Sequence, residues 1–380
     1  MKVAVIGVGG TGGAAARFLA RAGHETVAYE QFAVGHGRGS SHGESRIIRY
    51  TYADDLYTGM MGEAYPLWRG LEREAGEELL VRTGGVFLGR RDGPTLAAAR
   101  AGLGRHGVPH EVLTPAEGAR RFPALRLRGD EAALWQPDMG YLRATACVLA
   151  NARLARAAGA DVREETPVRA VRQDGARVRV TTESGDEEVF DRALVTAGPW
   201  LGRLLAPLNL PLRVTRQQIV YLAPEAGTGP DFEAPRLPVW IDADANLYGF
   251  PGDGRVAGVK LASHDQGEAA DPDGPRRPVD AEYQARMADY AQARFAGLTR
   301  RVTHAETCLY TNAPGEDFLL GPAPDNPSVW LVSGCSGHGF KFTVLLGKVA
   351  AEGVSGGAAP PYLSRFAPAR FLAGPPARQS

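Results

Sequence analysis

The hydrophobic pattern of the first thirty residues predicts a strand, a helix and a second strand. An apolar run from Val3 to Ile6 is typical of a strand buried on both faces. A Gly-rich turn follows, and the Ala-rich stretch from Ala14 to Ala22 predicts a helix that ends at Gly23. The run from Thr26 to Tyr29 predicts the second strand. Together these elements predict a βαβ unit of the kind that binds dinucleotides.

The remaining pattern predicts an α/β protein of two domains. Helical spacing marks residues 55–75, 95–106, 140–159, 280–296 and 341–352. Short apolar or alternating runs predict strands at 85–89, 167–172, 177–182, 187–190, 192–200, 217–222, 239–243, 246–250, 256–261 and 329–333, with Pro-rich loops at 223–238 and 271–278. We expect a Rossmann-like domain of residues 1–83, 140–211 and 308–380. It is interrupted twice by a β-rich, largely antiparallel domain of residues 84–139 and 212–307.

Composition narrows the possible partners. A chain of 380 residues exceeds the length at which one core keeps growing, which favours two domains. Its 43 basic and 43 acidic residues balance, which argues against nucleic acid or an anionic membrane as a partner. No apolar run approaches the roughly 18 residues of a membrane span. Because the βαβ unit begins at residue 2, we expect no signal peptide and a cytoplasmic location.

The glycines after the first strand carry the strongest motif. Gly7, Gly9 and Gly12 have GxGxxG spacing, which allows a tight turn, close approach to a pyrophosphate and close packing of helix on strand. The phosphates then lie at the N-terminus of the helix. Glu30 can accept hydrogen bonds from ribose hydroxyls and disfavours a 2′-phosphate, so FAD or NAD is expected. The motif does not separate these two, and a Gly-rich turn in an ordinary α/β domain is the alternative.

A polar loop at residues 35–46 is a second candidate for function. It concentrates His36, Arg38, His42 and Arg46, with Arg49 just beyond. A loop of this length without a secondary-structure pattern is usually functional or disordered. A solvated basic loop is the alternative interpretation.

The Gly-rich segments at residues 7–12 and 334–339, taken together with the rest of the sequence, resemble a known family over nearly the whole chain. The chain is similar to the monomeric sarcosine oxidase and N-methyltryptophan oxidase branch of the D-amino-acid-oxidase-like flavoproteins. The matching blocks are Val3 to Glu30, Gly39 to Arg49, Tyr248 to Pro251 with Lys260 and His264, and Thr307 to Thr311 followed by Ser336 to Phe342. The resemblance implies a monomeric FAD enzyme that oxidises a secondary amino acid or N-methyl amine to an imine, with O2 reduced to H2O2.

The resemblance also implies roles for individual residues. Cys308 matches the cysteine that holds FAD covalently through its 8α-methyl group, against the alternative of a buried apolar cysteine. Cys147 and Cys335 are interpreted as packing residues, and three scattered cysteines predict no disulfide framework and no metal site. Lys260 matches the lysine that promotes reaction with oxygen beside the flavin, against the alternative of a surface lysine.

Further matches concern the substrate and the flavin edge. Arg49 and Lys341 match the pair that binds the substrate carboxylate. Arg46 and His42 would border the flavin. Tyr248, Tyr310 and His264 would line the amine pocket. The remaining assignments to the cofactor are Ser41, Val168, Gly198, Gly337 and Gly339.

Departures from the family pattern leave the substrate open. Ser45 stands where the family commonly has Thr, and Glu44 where it has Asp. Residues 223–238 and 261–275 show no close match, and that region shapes the pocket. Sarcosine, N-methyltryptophan, a cyclic imino acid and a biosynthetic intermediate all remain candidates. A same-fold dehydrogenase or desaturase, a nicotinamide-dependent enzyme and a non-catalytic nucleotide-binding regulator are the alternative functions.

Overall fold

A computed structural model of the chain describes residues 1–372. Its strands are β1 (Lys2–Ile6), β2 (Glu25–Tyr29), β3 (Arg46–Ile48), β4 (Leu80–Arg82), β5 (Gly85–Arg90), β6 (Glu111–Leu113), β7 (Glu131–Gln136), β8 (Gly140–Leu142), β9 (Asp161–Arg163), β10 (Val168–Asp174), β11 (Arg177–Thr182), β12 (Glu187–Phe190), β13 (Arg192–Val195), β14 (Arg213–Pro224), β15 (Val239–Asp242), β16 (Leu247–Phe250), β17 (Val259–Ser263), β18 (Leu298–Asn312), β19 (Leu319–Ala323) and β20 (Asn326–Ser333). Its α-helices are α1 (Gly10–Arg21), α2 (Asp55–Ala75), α3 (Pro94–Arg105), α4 (Pro115–Arg121), α5 (Ala144–Ala157), α6 (Leu201–Leu204), α7 (Ala281–Arg294), α8 (Thr343–Val354), α9 (Leu363–Phe366) and α10 (Pro368–Leu372).

A six-stranded sheet carries the βαβ unit. Its order is β19-β20-β13-β1-β2-β9, and all neighbours are parallel except β19 and β20. An apolar core packs α1, α2, α5 and α8 against one face of this sheet. The antiparallel sheet β10-β11-β12 packs against the other face. The carboxyl ends of β1, β13 and β20 therefore lie side by side, which is where open α/β sheets bind ligands.

An eight-stranded sheet forms the second layer of the molecule. Its order is β18-β14-β17-β16-β15-β5-β7-β6, antiparallel except where β5 pairs with β15. A separate apolar core lies between this sheet and α7. A small sheet, β3-β8-β4, connects the segment after the polar loop to the rest of the protein. The mixed α/β fold with a β-rich second sheet confirms the predicted fold class.

Several elements differ from the sequence prediction, which gave no strand at β6, β7 or β19 and no helix at α4. The helix expected at 140–159 begins only at Ala144, because residues 140–142 form the central strand of the β3-β8-β4 sheet. A Cβ on Gly140 would lie 2.0 Å from the Val81 carbonyl oxygen, so this pairing requires glycine. The 15-residue β18 was largely missed, because it is an edge strand whose polar, half-exposed residues form no apolar run.

The predicted domain division stays a proposal. One of its boundaries, between residues 307 and 308, falls inside the continuous strand β18. Residues 373–380, which the prediction assigns to the dinucleotide domain, lie outside the described residues. Within residues 1–372, no helix is both long and apolar enough to cross a membrane.

Candidate active site

A first cavity of about 490 Å³ opens at the carboxyl ends of the parallel strands. Gly7 and Gly9 line it, and Gly7 has a φ of +94°, which a residue with a side chain rarely adopts. The backbone N–H groups of the first turn of α1 receive no side-chain cap from Gly9. The Ser41 hydroxyl accepts from the Gly10 N–H (3.2 Å), and this helix N-terminus lies beside the cavity, which is the usual binding site for a pyrophosphate.

The other parts of the dinucleotide motif have separate structural roles. Gly12 lies behind the cavity, where an added Cβ would come within 1.8 Å of the Gly7 carbonyl oxygen, so it provides close helix–strand packing. Glu30 lines the cavity and accepts hydrogen bonds from the N–H groups of Val8 (2.9 Å) and Phe32 (3.2 Å), which hold its carboxylate beside the glycine loop.

The walls of the first cavity fit an adenine dinucleotide. The Thr311 and Ser333 hydroxyls are buried in its lining without a hydrogen-bond partner in the protein, so a bound polar ligand would satisfy them. The lining also includes the predicted cofactor residues Ser41, Val168, Gly198, Gly337 and Gly339.

A second cavity of about 230 Å³ adjoins the first. Arg46, Tyr310, Gly337 and Phe340 line both cavities, so the two spaces meet at these residues. The second cavity is enclosed by strands of the eight-stranded sheet and by the turn that precedes α8. Its lining contains the predicted residues Arg49, Tyr248, Lys260, His264, Cys308 and Lys341. The fold thus brings Arg49, which follows β3, and Lys341, which precedes α8, into the same cavity lining.

Two cations, the buried Lys341 and the half-buried Arg49, line the second cavity without a carboxylate partner among residues 1–372. Lys341 is 5 % exposed, and its ammonium donates to the Tyr52 hydroxyl (3.0 Å) and the His338 carbonyl (2.7 Å). Arg49 donates to the Thr51 carbonyl, and its guanidinium lies 4.1 Å from the centre of the Tyr52 ring. Burial and the charge of Arg49 hold the pKa of Lys341 well below its usual range. Such a pair is stabilised by a bound anion.

Lys260 is a third cation in the lining of the second cavity, and it is buried. Its ammonium is 3.2 Å from the Ser45 hydroxyl and 3.3 Å from the Ser45 carbonyl, and the residue is 3 % exposed. Burial and the nearby guanidinium of Arg46 lower the pKa of Lys260 to about 8. Arg46 itself is fixed by donation to the carbonyls of Ser45 (3.0 Å) and Ser40 (3.2 Å).

Two tyrosines and a histidine line the space between these cations. The hydroxyls of Tyr248 and Tyr310 are 3.3 Å apart, and the His264 ring lies 5.8 Å from the Tyr310 ring. Burial and the charges of Arg49 and Lys341 lower the pKa of His264 to about 4, so this side chain is neutral at pH 7. Gly337 touches the Tyr310 ring so closely that an added Cβ would lie 2.1 Å from it.

Cys308 is the buried thiol of the second cavity. It is 5 % exposed and lies on β18, paired with Gln217 of β14. Burial raises the pKa of its thiol, and the charges of Arg46 and Lys260 oppose that rise. Cys147 is buried among apolar side chains, as predicted, whereas Cys335, also predicted to be a packing residue, is half-buried and lines the first cavity.

The structure leaves two predicted site residues, Gly12 and His42, outside both linings and adds residues that the sequence did not reveal. His42 lines neither cavity, and its buried Nε2 has no partner, while burial and neighbouring cations lower its pKa to about 3. Tyr52 and Ser45 emerge as direct partners of Lys341 and Lys260. No sequence signal marked Tyr52, because a lone aromatic after a strand usually belongs to the core. Among residues 1–372 no His, Cys, Asp and Glu cluster could hold a metal ion.

Known proteins resemble this chain over nearly its whole length. It is 36% identical to the monomeric sarcosine oxidase of Streptomyces avermitilis over 98% of each chain. It is 29% identical to the N-methyl-L-tryptophan oxidase of Yersinia pestis, over 97% of this chain and 98% of that one. Among solved structures, NikD, an unusual amino acid oxidase essential for nikkomycin biosynthesis, matches with a TM-score of 0.83 and 26% identity over 97% of each chain.

The family match covers the elements that build both cavities. The model of the DAO family, described as FAD dependent oxidoreductase, matches residues 2–353. That range extends from β1 through the glycine loop to the end of α8. A glycine-lined dinucleotide cavity, a neighbouring cavity with unpaired cations and this match lead to one conclusion: the chain belongs to the family of FAD-dependent oxidoreductases.

Proposed function

We propose that this protein oxidises the CH–NH bond of a secondary amino acid, N-methyl or cyclic, to an imine and reduces O2 to H2O2. The observation that carries the proposal is the pair Arg49 and Lys341, two cations that share a cavity and have no carboxylate partner among residues 1–372. Asp242, the carboxylate in the same lining, is paired with Arg294 (2.6 Å). This cavity meets the dinucleotide cavity directly. The names of the sarcosine oxidase and N-methyltryptophan oxidase relatives support the same substrate class.

Arg49 and Lys341 would bind the substrate carboxylate. A guanidinium can donate two parallel hydrogen bonds to a carboxylate, and the ammonium adds a point charge. Binding an anion between them offsets part of the cost of burying both charges. The carboxylate then orients the rest of the substrate toward Tyr248 and Tyr310.

The same charges favour the reactive form of the amine. Arg49, Lys341 and Lys260 make the cavity positive, which lowers the pKa of a bound substrate ammonium. His264 is neutral at pH 7 and adds no further charge. A neutral amine has the lone pair that an oxidation at the adjacent C–H bond needs, so no dedicated catalytic base is required. When bound, FAD would accept the hydrogen and both electrons of the C–H bond, and these two electrons, with two protons of which one is the N–H proton that the amine releases on forming the imine, would reduce O2 to H2O2.

Lys260 would act in the oxygen half of the reaction. Its ammonium is held by Ser45 in a buried position, where a fixed positive charge stabilises negative charge that develops on O2. Arg46, which lines both cavities, would add to the positive potential at the same place. His42 would influence the site only through its neighbours.

An amine panel tests the proposal. The purified protein should be yellow, and sarcosine, N-methyl-L-tryptophan and L-pipecolate should be supplied in turn with peroxide detection. We expect at least one of them to bleach the flavin anaerobically and to yield one H2O2 per turnover in air. A protein that takes up no flavin, or whose flavin no secondary amino acid reduces, would contradict the proposal. Rapid bleaching with slow return of colour in air would indicate a dehydrogenase instead.

We further propose that Cys308 holds FAD through an 8α thioether. Replacing Cys308 with serine should move the yellow colour from the pellet to the supernatant after acid precipitation, because serine forms no such bond. Cys335→Ser is the matched control, since Cys335 also lines a cavity and should leave the colour in the pellet. Colour in the supernatant of the unmodified protein would refute the covalent link and keep the flavoenzyme.

A monomeric state and a cytoplasmic location complete the proposal. The name of the Streptomyces avermitilis relative supports a monomer. Light scattering of the holoenzyme and fractionation of the source cells would test the two statements separately.

A further inference from the structure

Tyr52 lies directly behind the two cations of the second cavity and touches both. Its hydroxyl is 3.0 Å from the Lys341 ammonium, and its ring lies 4.1 Å from the Arg49 guanidinium carbon. Tyr52 is 8 % exposed and is not part of the cavity lining. It therefore contacts the residues that face the ligand without facing the ligand itself.

A second hydrogen bond sets the direction of the first. The Tyr52 hydroxyl is 3.3 Å from Nδ1 of His338, whose Nε2 is 3.0 Å from the Glu316 carbonyl oxygen. A carbonyl only accepts, so Nε2 carries the hydrogen and donates it. Nδ1 is then the acceptor for the Tyr52 hydroxyl, and burial keeps the pKa of His338 far below its ordinary value, so the ring stays neutral. The tyrosine oxygen is left free to accept from Lys341.

We propose that Tyr52 is a positioning residue that orients Lys341 and thereby sets the affinity of the site for a carboxylate. The proposal rests on the carboxylate-binding role of Arg49 and Lys341 given above. Among residues 1–372 the Lys341 ammonium has one hydrogen-bond partner besides Tyr52, the His338 carbonyl. The Lys341 ammonium has three N–H groups. When Tyr52 and His338 accept two of them, the third points to the ligand. With only the His338 carbonyl as acceptor, the ammonium can rotate away from the ligand.

The first test is the binding of benzoate, a monocarboxylate without an amine, to the oxidised holoenzyme. Flavin absorbance reports the titration, so no turnover is needed. Tyr52→Phe removes the hydroxyl and keeps the ring beside Arg49. Loss of one charge-assisted hydrogen bond should raise the Kd for benzoate about tenfold. With sarcosine, or the best substrate of the amine panel, KM should rise by a similar factor, while kcat stays within about twofold.

Tyr65→Phe is the matched control. Tyr65 is also 8 % exposed, and its hydroxyl donates to the Asp138 carbonyl (2.9 Å) rather than to a group that binds Lys341. This variant loses a hydrogen bond of similar burial, so its thermal unfolding should shift by a similar amount. Its Kd for benzoate should equal that of the unmodified enzyme. An equal rise in both variants would overturn the proposal.

A double-mutant cycle identifies the route of the effect. If Tyr52 acts through Lys341, Tyr52→Phe should change the Kd for benzoate by less than about twofold in a Lys341→Met background. A tenfold effect that persists there would show a general structural role and overturn the proposal, as would failure of the unmodified holoenzyme to bind benzoate. If benzoate binding behaves as expected but no amine is oxidised, the positioning role stands and the proposed reaction fails.

Discussion

Replacing Lys260 with methionine is expected to slow the reaction with oxygen by about 10²–10³-fold, the usual effect of removing one preorganised charge at a developing anion. Anaerobic bleaching of the flavin by substrate should change by no more than about threefold, because Lys260 is not one of the two cations proposed to bind the substrate carboxylate. The expectation rests on the buried ammonium, fixed by Ser45 and without a carboxylate in hydrogen-bonding contact. Stopped-flow measurement of the return of colour on mixing with aerated buffer gives the rate.

The same rate should depend on pH with a definite sign. The pKa of Lys260 is lowered from 10.5 to about 8, so the ammonium predominates below pH 8 and is lost above it. The oxygen reaction of the unmodified enzyme should therefore slow as pH rises through about 8, and Lys260→Met should lose this dependence. Lys348→Met, on α8 and paired with Glu352 (2.6 Å), serves as the surface control. Unchanged oxygen reactivity of Lys260→Met would remove Lys260 from the mechanism and favour a dehydrogenase.

Removing one cation of the carboxylate pair is expected to have the second large effect. Lys341→Met or Arg49→Met should weaken binding of an N-methyl amino acid by about 10²–10³-fold, the range for breaking a buried, hydrogen-bonded charge pair. Arg49→Lys keeps the charge but loses the planar fork, so it should recover only part of the affinity. The dependence of anaerobic bleaching on amino acid concentration measures these changes.

The neutral amide of the same amino acid distinguishes a carboxylate site from a general loss of structure. An amide presents no negative charge, so its weak binding should respond little to either substitution. Arg255→Met is the control for arginine replacement, because Arg255 is an exposed residue that pairs with Glu44 (3.1 Å). Equal losses for the amino acid and the amide would mean that Arg49 and Lys341 support the cavity rather than bind the carboxylate.

The candidate site was predictable where local sequence carries its chemistry. Gly7, Gly9 and Glu30 act within one βαβ unit, so their spacing indicated a dinucleotide site without any tertiary information. Lys260, Arg49 and Lys341 were identified through resemblance to a family and not from spacing, since each alone is compatible with a surface charge. The structure places all three in one cavity lining, and their roles stay predictions.

By itself the sequence determined the local elements: the βαβ unit, the amphipathic helix at residues 55–75 and the alternating strands of the β-rich part. These follow from hydrophobic periodicity and turn residues, which act over a few positions. Only the tertiary structure decided which polar groups meet, because strand pairing across hundreds of residues carries no short-range signal. It joined Tyr52, His338 and Lys341 in one hydrogen-bonded chain and placed His42 outside both cavities. Residues 140–142 form a central strand only in the tertiary structure. The strand pairing brings the Val81 carbonyl against Gly140, where a side chain would not fit, and the local sequence does not show this contact.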